Sequence, residues 1–187
     1  MKVLVIDNYD SFVYNLVHYL EAFGAKVHVV RNKKIPMDLV PTYDKILLSP
    51  GPGIPDEAGM LKDLIKKFYK TKPIFGVCLG QQAIAEVFGG ELENLNEVYH
   101  GVSTSISISV KDEILYEGLP DTIEVGRYHS WVVKQNLPQE LEATSYDEDG
   151  NIMSLRHKLY DLRAVQYHPE SVLTPNGKTI IKNWLSS

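Results

Sequence analysis

The sequence predicts an α/β fold: an open, mostly parallel sheet with helices on both faces and an antiparallel β extension. The first half alternates short apolar runs with segments of helical period, which is typical of consecutive βα units. The second half alternates small polar residues with Ile and Val, as antiparallel strands with one exposed face do. No repeat or linker-like stretch interrupts the 187 residues, so we expect a single domain over residues 1–187.

Strands and helices alternate along the first half of the chain. Residues 3–7 form an apolar run typical of a parallel strand buried on both faces. Asp10 or Ser11 can cap the helix that follows, and Gly24 is a natural stop for it. The remaining elements of this half are predicted as strands at residues 26–30, 45–48 and 74–77 and a helix from about residue 57 to residue 69.

Antiparallel strands and one last helix are predicted in the second half. Asp149, Gly150 and Asn151 indicate a hairpin turn between two of the strands. The final helix opens at Thr174 or Pro175. The strands of this half are predicted at residues 103–110, 123–133, 141–146, 152–156 and 163–167.

The composition narrows the classes of function. A net charge of −5 without any basic run argues against a nucleic-acid partner. No apolar run approaches the length that spans a bilayer, so we expect no membrane partner. The single cysteine excludes an internal disulfide and indicates the reducing cytoplasm. One Cys with scattered His gives no metal-ligand cluster, and we expect neither a metal nor a cofactor.

The single cysteine, Cys78, lies in a Gly-x-Cys-x-Gly motif between an apolar run and a helix-like segment. This pattern is a nucleophile elbow with sulfur in place of serine oxygen, in which Gly76 and Gly80 let strand and helix approach closely. The N-terminus of the following helix stabilises a thiolate. A lone cysteine is otherwise a small buried hydrophobe. The elbow, at the ligand-binding edge of such a sheet, favours a catalytic Cys78.

A thiolate nucleophile needs a base, and His168 is the candidate. His168 follows a predicted strand and precedes Pro169 and Glu170. Residues two apart in an extended segment face the same way, so the side chains of His168 and Glu170 can meet. A carboxylate on imidazole fixes its tautomer, which is the third role in a catalytic triad. The alternative is an ion pair at the protein surface.

Acyl transfer also needs donors for the oxyanion. The Ser-Pro-Gly-Pro-Gly stretch at residues 49–53 ends a predicted strand at the same edge of the sheet. Its prolines stiffen the loop, while its glycines allow positive φ. We expect the N–H groups of Gly53 and Leu79 to converge on the oxyanion. The alternative is an ordinary Pro/Gly turn.

Taken together these residues resemble the class I glutamine amidotransferases of the triad type. The likeness runs from about residue 1 to residue 185 and is greatest to the amidotransferase subunits of anthranilate synthase and aminodeoxychorismate synthase. It implies an open α/β sheet with a flavodoxin-like core. Five motifs carry it, at residues 7–12, 50–53, 76–82, 128–130 and 166–171.

The resemblance implies a reaction. Cys78 would attack the side-chain amide of glutamine, His168 would deliver the proton to departing ammonia, and Glu170 would orient His168. A chorismate-binding synthase on a separate chain would receive the ammonia directly. The glutamine contacts that the family implies fall on Gln82, on the backbone at Ser130 and Trp131, and on Gly51 and His129.

Three positions depart from the family pattern: Gln81 stands where His is common, Tyr167 where Phe is common, and Val102 where Lys is common. Val102 bears most on which synthase is bound. Three alternatives stay open. They are a stand-alone cysteine hydrolase of γ-glutamyl substrates, the amidotransferase of GMP or carbamoyl phosphate synthesis, and a non-enzymatic regulatory subunit on the same fold.

Overall fold

A computed structural model describes residues 1–187 and contains one nine-stranded sheet, a two-stranded sheet and four α-helices. The strands are β1 Lys2–Asp7, β2 Lys26–Arg31, β3 Lys45–Leu48, β4 Ile74–Val77, β5 Leu92–Asn94, β6 Val102–Ile108, β7 Thr122–Arg127, β8 Trp131–Val133, β9 Leu141–Tyr146, β10 Ile152–His157 and β11 Leu162–Val165. The helices are α1 Val13–Ala22, α2 Leu61–Phe68, α3 Leu79–Val87 and α4 Gly177–Ser186.

The large sheet has the order β2-β1-β3-β4-β11-β10-β9-β6-β7. The first five strands pair in parallel, and the remaining pairs are antiparallel. The predicted fold class is therefore confirmed. The carboxyl ends of the parallel strands meet at one edge, where ligands of such sheets bind.

Two hydrophobic clusters cover the two faces of this sheet. In β1 the side chains alternate between them, since Val3 and Val5 belong to one cluster and Leu4 and Ile6 to the other. This alternation explains why the strand is an uninterrupted apolar run. One sheet that is shared by both clusters supports the single-domain prediction, which stays a prediction.

Two predicted elements are wrong because short segments interrupt them. The helix predicted from residue 57 to residue 69 begins only at Leu61, since a 3-10 turn at Pro55–Glu57 and Gly59, with φ of +57°, precede it. The strand predicted at residues 123–133 is two strands in different sheets, β7 and β8. Residues 128–130 leave the large sheet between them. β5, the partner of β8, was not predicted.

Several smaller details also differ from the predictions. β11 ends at Val165 and α4 begins at Gly177, later than Thr174 or Pro175. α1 begins at Val13 without a side-chain cap. His157, which its charged neighbours in the sequence predict to be exposed, is buried. The lengths and hydropathies of the helices do not reach those of a membrane span.

Candidate active site

Cys78 occupies a strained turn between β4 and α3. Its φ and ψ are 52° and −102°, a conformation that non-glycine residues rarely adopt. A Cβ on Gly76 would lie 2.7 Å from the Gly80 carbonyl carbon, and a Cβ on Gly80 would lie 2.8 Å from the Leu48 oxygen. Both positions therefore require glycine, and the geometry is that of the predicted nucleophile elbow.

Two cavities meet at Cys78, whose side chain is otherwise buried. The first has a volume of about 240 Å³ and the second a volume of about 450 Å³. The first is lined by Gly51, Pro52, Gly53, Cys78, Gln82, Tyr128, His129, Ser130 and Trp131. The second shares Gly51, Pro52, Cys78 and Tyr128 with the first and adds His168 among others. The structure thus brings all the predicted glutamine-contacting residues to one cavity beside the sulfur.

His168 and Glu170 meet as predicted, with 2.7 Å between Nδ1 and Oε1. Both side chains are buried, so the alternative of a surface ion pair is wrong. Burial opposes the charged imidazole, but the neighbouring Cys78 and Glu170 outweigh it and raise the pKa of His168 well above its usual value. The Nε2 atom of His168 has no hydrogen-bond partner within the chain. The rings of Phe12 and Tyr128 pack against the imidazole, with centroids 6.0 and 4.9 Å away.

The loop at residues 49–53 is tied to the carboxyl end of β1. Asn8 Nδ2 donates to the Ser49 carbonyl over 2.7 Å, and Asn8 N–H donates to Ser49 Oγ over 2.9 Å. A Cβ on Gly51 would approach the Asn8 Cβ to 2.5 Å and the Leu79 Cδ2 to 2.8 Å. Gly53 has φ of +71°. The loop is therefore a tightly packed wall of the cavity, and Leu79 directly follows the nucleophile at the start of α3.

The wall opposite this loop is fixed through the Trp131 carbonyl. Gln82 Nε2 donates to it over 3.0 Å, and His129 Nδ1 lies 3.1 Å from it. Arg127 Nε donates to His129 Nε2 over 3.1 Å, so Nδ1 carries the proton of the neutral ring. Burial, with the charge of Arg127, lowers the pKa of His129 to about 3. Arg127 in turn pairs with the buried Asp147 over 2.8 Å.

Sequence reasoning missed three residues of this site: Arg127, Asp147 and Gln166. Gln166 entered only as part of a motif, yet its Nε2 lies 3.5 Å from the Cys78 sulfur. Gln166 lies two residues before His168 in the sequence, and this spacing was the available signal. The argument that paired the side chains of His168 and Glu170 also places the Gln166 side chain on the same side of the chain as His168. No signal pointed to Asp147, which lies in a turn on another element.

No three His, Cys, Asp or Glu side chains lie close enough together to hold a metal ion.

The fold and the site define the class of protein: an α/β sheet that carries a cysteine at a nucleophile elbow. The family model for glutamine amidotransferase class-I matches residues 4–187. The chain belongs to that family and is a glutamine amidotransferase.

Curated relatives and solved structures agree with this assignment. The chain is 42% identical to aminodeoxychorismate/anthranilate synthase component 2 of Bacillus subtilis over 188 residues, which are 99% of this chain and 96% of that protein. It is 43% identical to the bifunctional protein TrpGD of Thermotoga maritima, but it spans only 32% of that longer protein. A protein of Thermoplasma acidophilum that is provisionally assigned to GMP synthase superposes with a TM-score of 0.89 at 26% identity, covering 100% of this chain and 92% of that one.

Proposed function

We propose that this chain is the glutaminase subunit of a chorismate-using synthase, with Cys78, His168 and Glu170 as its triad. The observation that carries the proposal is the elbow cysteine at the junction of two cavities, beside a buried His–Glu pair. We also propose a cytoplasmic location, because the thiol of Cys78 must stay reduced to act.

The geometry supports the following reaction. The Cys78 thiol gives its proton to His168, and its sulfur attacks the side-chain carbonyl carbon of glutamine. The π electrons move onto the oxygen, which the N–H groups of Gly53 and Leu79 stabilise. The C–N bond then breaks, and His168 gives its proton to the departing ammonia. Water adds to the resulting thioester, His168 takes up its proton, and glutamate leaves as the C–S bond breaks. Glu170 holds the imidazole in place throughout.

The cavity of about 240 Å³ is the proposed glutamine site. Gln82 and the backbone at Ser130 and Trp131 would hold the amino acid, with Gly51 and His129 shaping the wall. Since burial and the Arg127 side chain keep His129 neutral, His129 supplies no proton in this reaction. It therefore acts on the shape of the cavity, and His168 remains the one histidine that exchanges protons.

The second cavity supports delivery of ammonia to a partner chain. It adjoins the glutamine site at Cys78, and its wall also includes His168, Tyr9 and His100. Tyr9 and Val172 are exposed apolar side chains, 45% and 93% accessible. Ammonia that reached bulk water would be protonated and no longer nucleophilic. A synthase subunit seated on this face would receive the ammonia directly, and the name of the Bacillus relative, a synthase component 2, supports a chorismate-using partner.

The test is the Cys78→Ser variant in complex with the synthase subunit. We expect glutamine-dependent product formation to fall by about a thousandfold or more, because the nucleophile is lost. The reaction that uses added ammonium salt should continue at the parent rate. Loss of both reactions would show that Cys78 serves structure, and retention of both would show that another residue attacks glutamine.

A further inference from the structure

We propose that Gln166 is a further catalytic residue of this site, whose amide N–H donates to the Cys78 sulfur and stabilises its anionic form. The inference rests on the proposed role of Cys78 as nucleophile. Gln166 Nε2 lies 3.5 Å from the Cys78 Sγ atom. The Gln166 side chain is fully buried, so no water competes for this hydrogen bond.

The orientation of the Gln166 amide is set by its other contact. Gln82 Nε2 donates to Gln166 Oε1 over 3.2 Å. If the amide were turned over, Oε1 would face the electron-rich sulfur, and Nε2 would face the Nε2 donor of Gln82. Only one orientation satisfies both neighbours, and it directs the N–H toward the sulfur.

The backbone holds Gln166 in this position. Its N–H donates to the Met153 carbonyl over 2.8 Å, directly beyond the end of β11. The next residue, Tyr167, points into the core, where its hydroxyl lies 3.1 Å from that of Tyr116. Gln166 contacts the Cys78 sulfur, and His168, two residues further along, lines a cavity together with Cys78.

Gln166 also completes a chain of hydrogen bonds from the glutamine site to the nucleophile. Gln82 donates both to the Trp131 carbonyl, over 3.0 Å, and to Gln166, which donates to Cys78. Successive donors of this kind polarise one another in a buried site. The wall that would hold glutamine and the sulfur that would attack it are thus positioned by the same two amides.

The hydrogen bond from Gln166 to the Cys78 sulfur acts at two steps of the reaction. Before attack, the N–H favours the charged sulfur over the neutral thiol, because a hydrogen bond to an ion is stronger than one to its neutral form. When water has added to the thioester, the sulfur leaves as an anion again, and the same N–H stabilises the leaving group. Loss of the N–H should lower kcat more than it changes KM.

The test compares Gln166→Met with Gln81→Met. Both replace a buried amide, but the Gln81 side chain donates only to the Ile152 carbonyl, over 3.4 Å, and makes no hydrogen bond to Cys78. Cys78 is the only cysteine, so the rate of alkylation by iodoacetamide reports on this one sulfur. We expect Q166M to react about tenfold more slowly than the parent at about pH 6 and equally fast at about pH 10. Q81M should follow the parent throughout.

Turnover of glutamine in the synthase complex gives the second measurement. The kcat of Q166M should fall about tenfold with KM nearly unchanged. Alkylation rates of Q166M that match those of the parent at every pH would overturn the proposal. Slowing of alkylation by the same factor at every pH would also overturn it, because this would indicate altered access to the sulfur. Should Q166M fail to fold, Gln166→Glu keeps the shape and places a carboxylate beside the sulfur. Alkylation of Q166E at the rate of the parent would also overturn the proposal. Failure of the proposed function would be detected separately, by the Cys78→Ser variant.

Discussion

At the scale of single residues, the two histidines of the site show that surroundings decide the charge of a side chain. His168 faces the Glu170 carboxylate, and its pKa is raised. His129 is buried and faces the Arg127 guanidinium, and both effects lower its pKa to about 3. The charged form of one and the neutral form of the other are thus favoured within one site. The partner of His168 was predicted from a spacing of two residues. The same spacing relates Arg127 to His129 within the strand predicted at residues 123–133, but the prediction did not use it there.

The neutral state of His129 predicts a dependence of stability on pH. The native state disfavours the proton on His129 down to about pH 3, while the unfolded chain binds it below its ordinary pKa of 6.5. Stability is therefore lost as pH falls from 6.5 toward 3, and His129→Gln should remove this loss. The free energy of unfolding of the parent should fall relative to H129Q by at most about 1.4 kcal/mol per pH unit, measured by urea unfolding.

The matched control for this measurement is His18→Gln, because His18 is exposed on α1. The difference in free energy of unfolding between the parent and H18Q, measured over the same pH range, gives the baseline. A difference between the parent and H129Q that varies no more with pH than this baseline would contradict the neutral, buried state of His129.

At the scale of elements, the packing of α3 against β3 depends on Gly80. A Cβ at this position would lie 2.8 Å from the Leu48 oxygen, which belongs to the backbone and cannot move aside alone. We expect Gly80→Ala to lower the free energy of unfolding by about 1–3 kcal/mol and to displace the start of α3. Glutamine-dependent activity should fall with it, measured in the synthase complex beside urea unfolding.

Gly24→Ala separates this steric effect from backbone strain. Gly24 has φ of +83° but no atom within 4 Å of the position that a Cβ would take, so alanine there suffers only from conformation. G24A should lose stability and keep its activity per folded molecule. Equal losses of activity in G24A and G80A would show that general destabilisation, rather than the position of α3, limits the reaction.

The elements themselves were predictable where a pattern was local and long enough. The four parallel strands that follow one another in the first half were identified because apolar runs bounded by polar residues mark buried strands. The helix at residues 57–69 was predicted too long because its apolar positions continue in phase through the Gly59 turn. β7 and β8 merged in the prediction because residues 128–130, Tyr-His-Ser, include no Gly, Pro, Asn or Asp that would mark a turn. Their departure from the sheet is caused by tertiary contacts such as the pairing of β8 with β5.

At the scale of the whole molecule, the site is assembled by topology. Cys78 follows β4, Gln166 follows β11 and residues 49–53 follow β3, and these strands are neighbours in the sheet. The rule that parallel strands end at one edge was therefore enough to predict that the cysteine, the His–Glu pair and the glycine loop meet. This rule could not predict the contact between Asp147, in the turn after β9, and Arg127. Long-range pairs of this kind depend on the register of antiparallel strands, which the rule does not give.

The face around the second cavity predicts where the proposed partner binds. Val172, 93% exposed, directly follows Ser171, whose hydroxyl lies 3.1 Å from that of Tyr128 in the cavity wall. Burial of this side chain against a synthase subunit would be disrupted by a charge, so Val172→Glu should weaken the complex by about tenfold or more. Leu159, 84% exposed in the turn before β11 and hence at the opposite end of the sheet, gives the control Leu159→Glu. Titration of each variant with the synthase subunit measures Kd. Equal affinities for V172E and the parent, or equal losses in V172E and L159E, would place the partner elsewhere on the molecule.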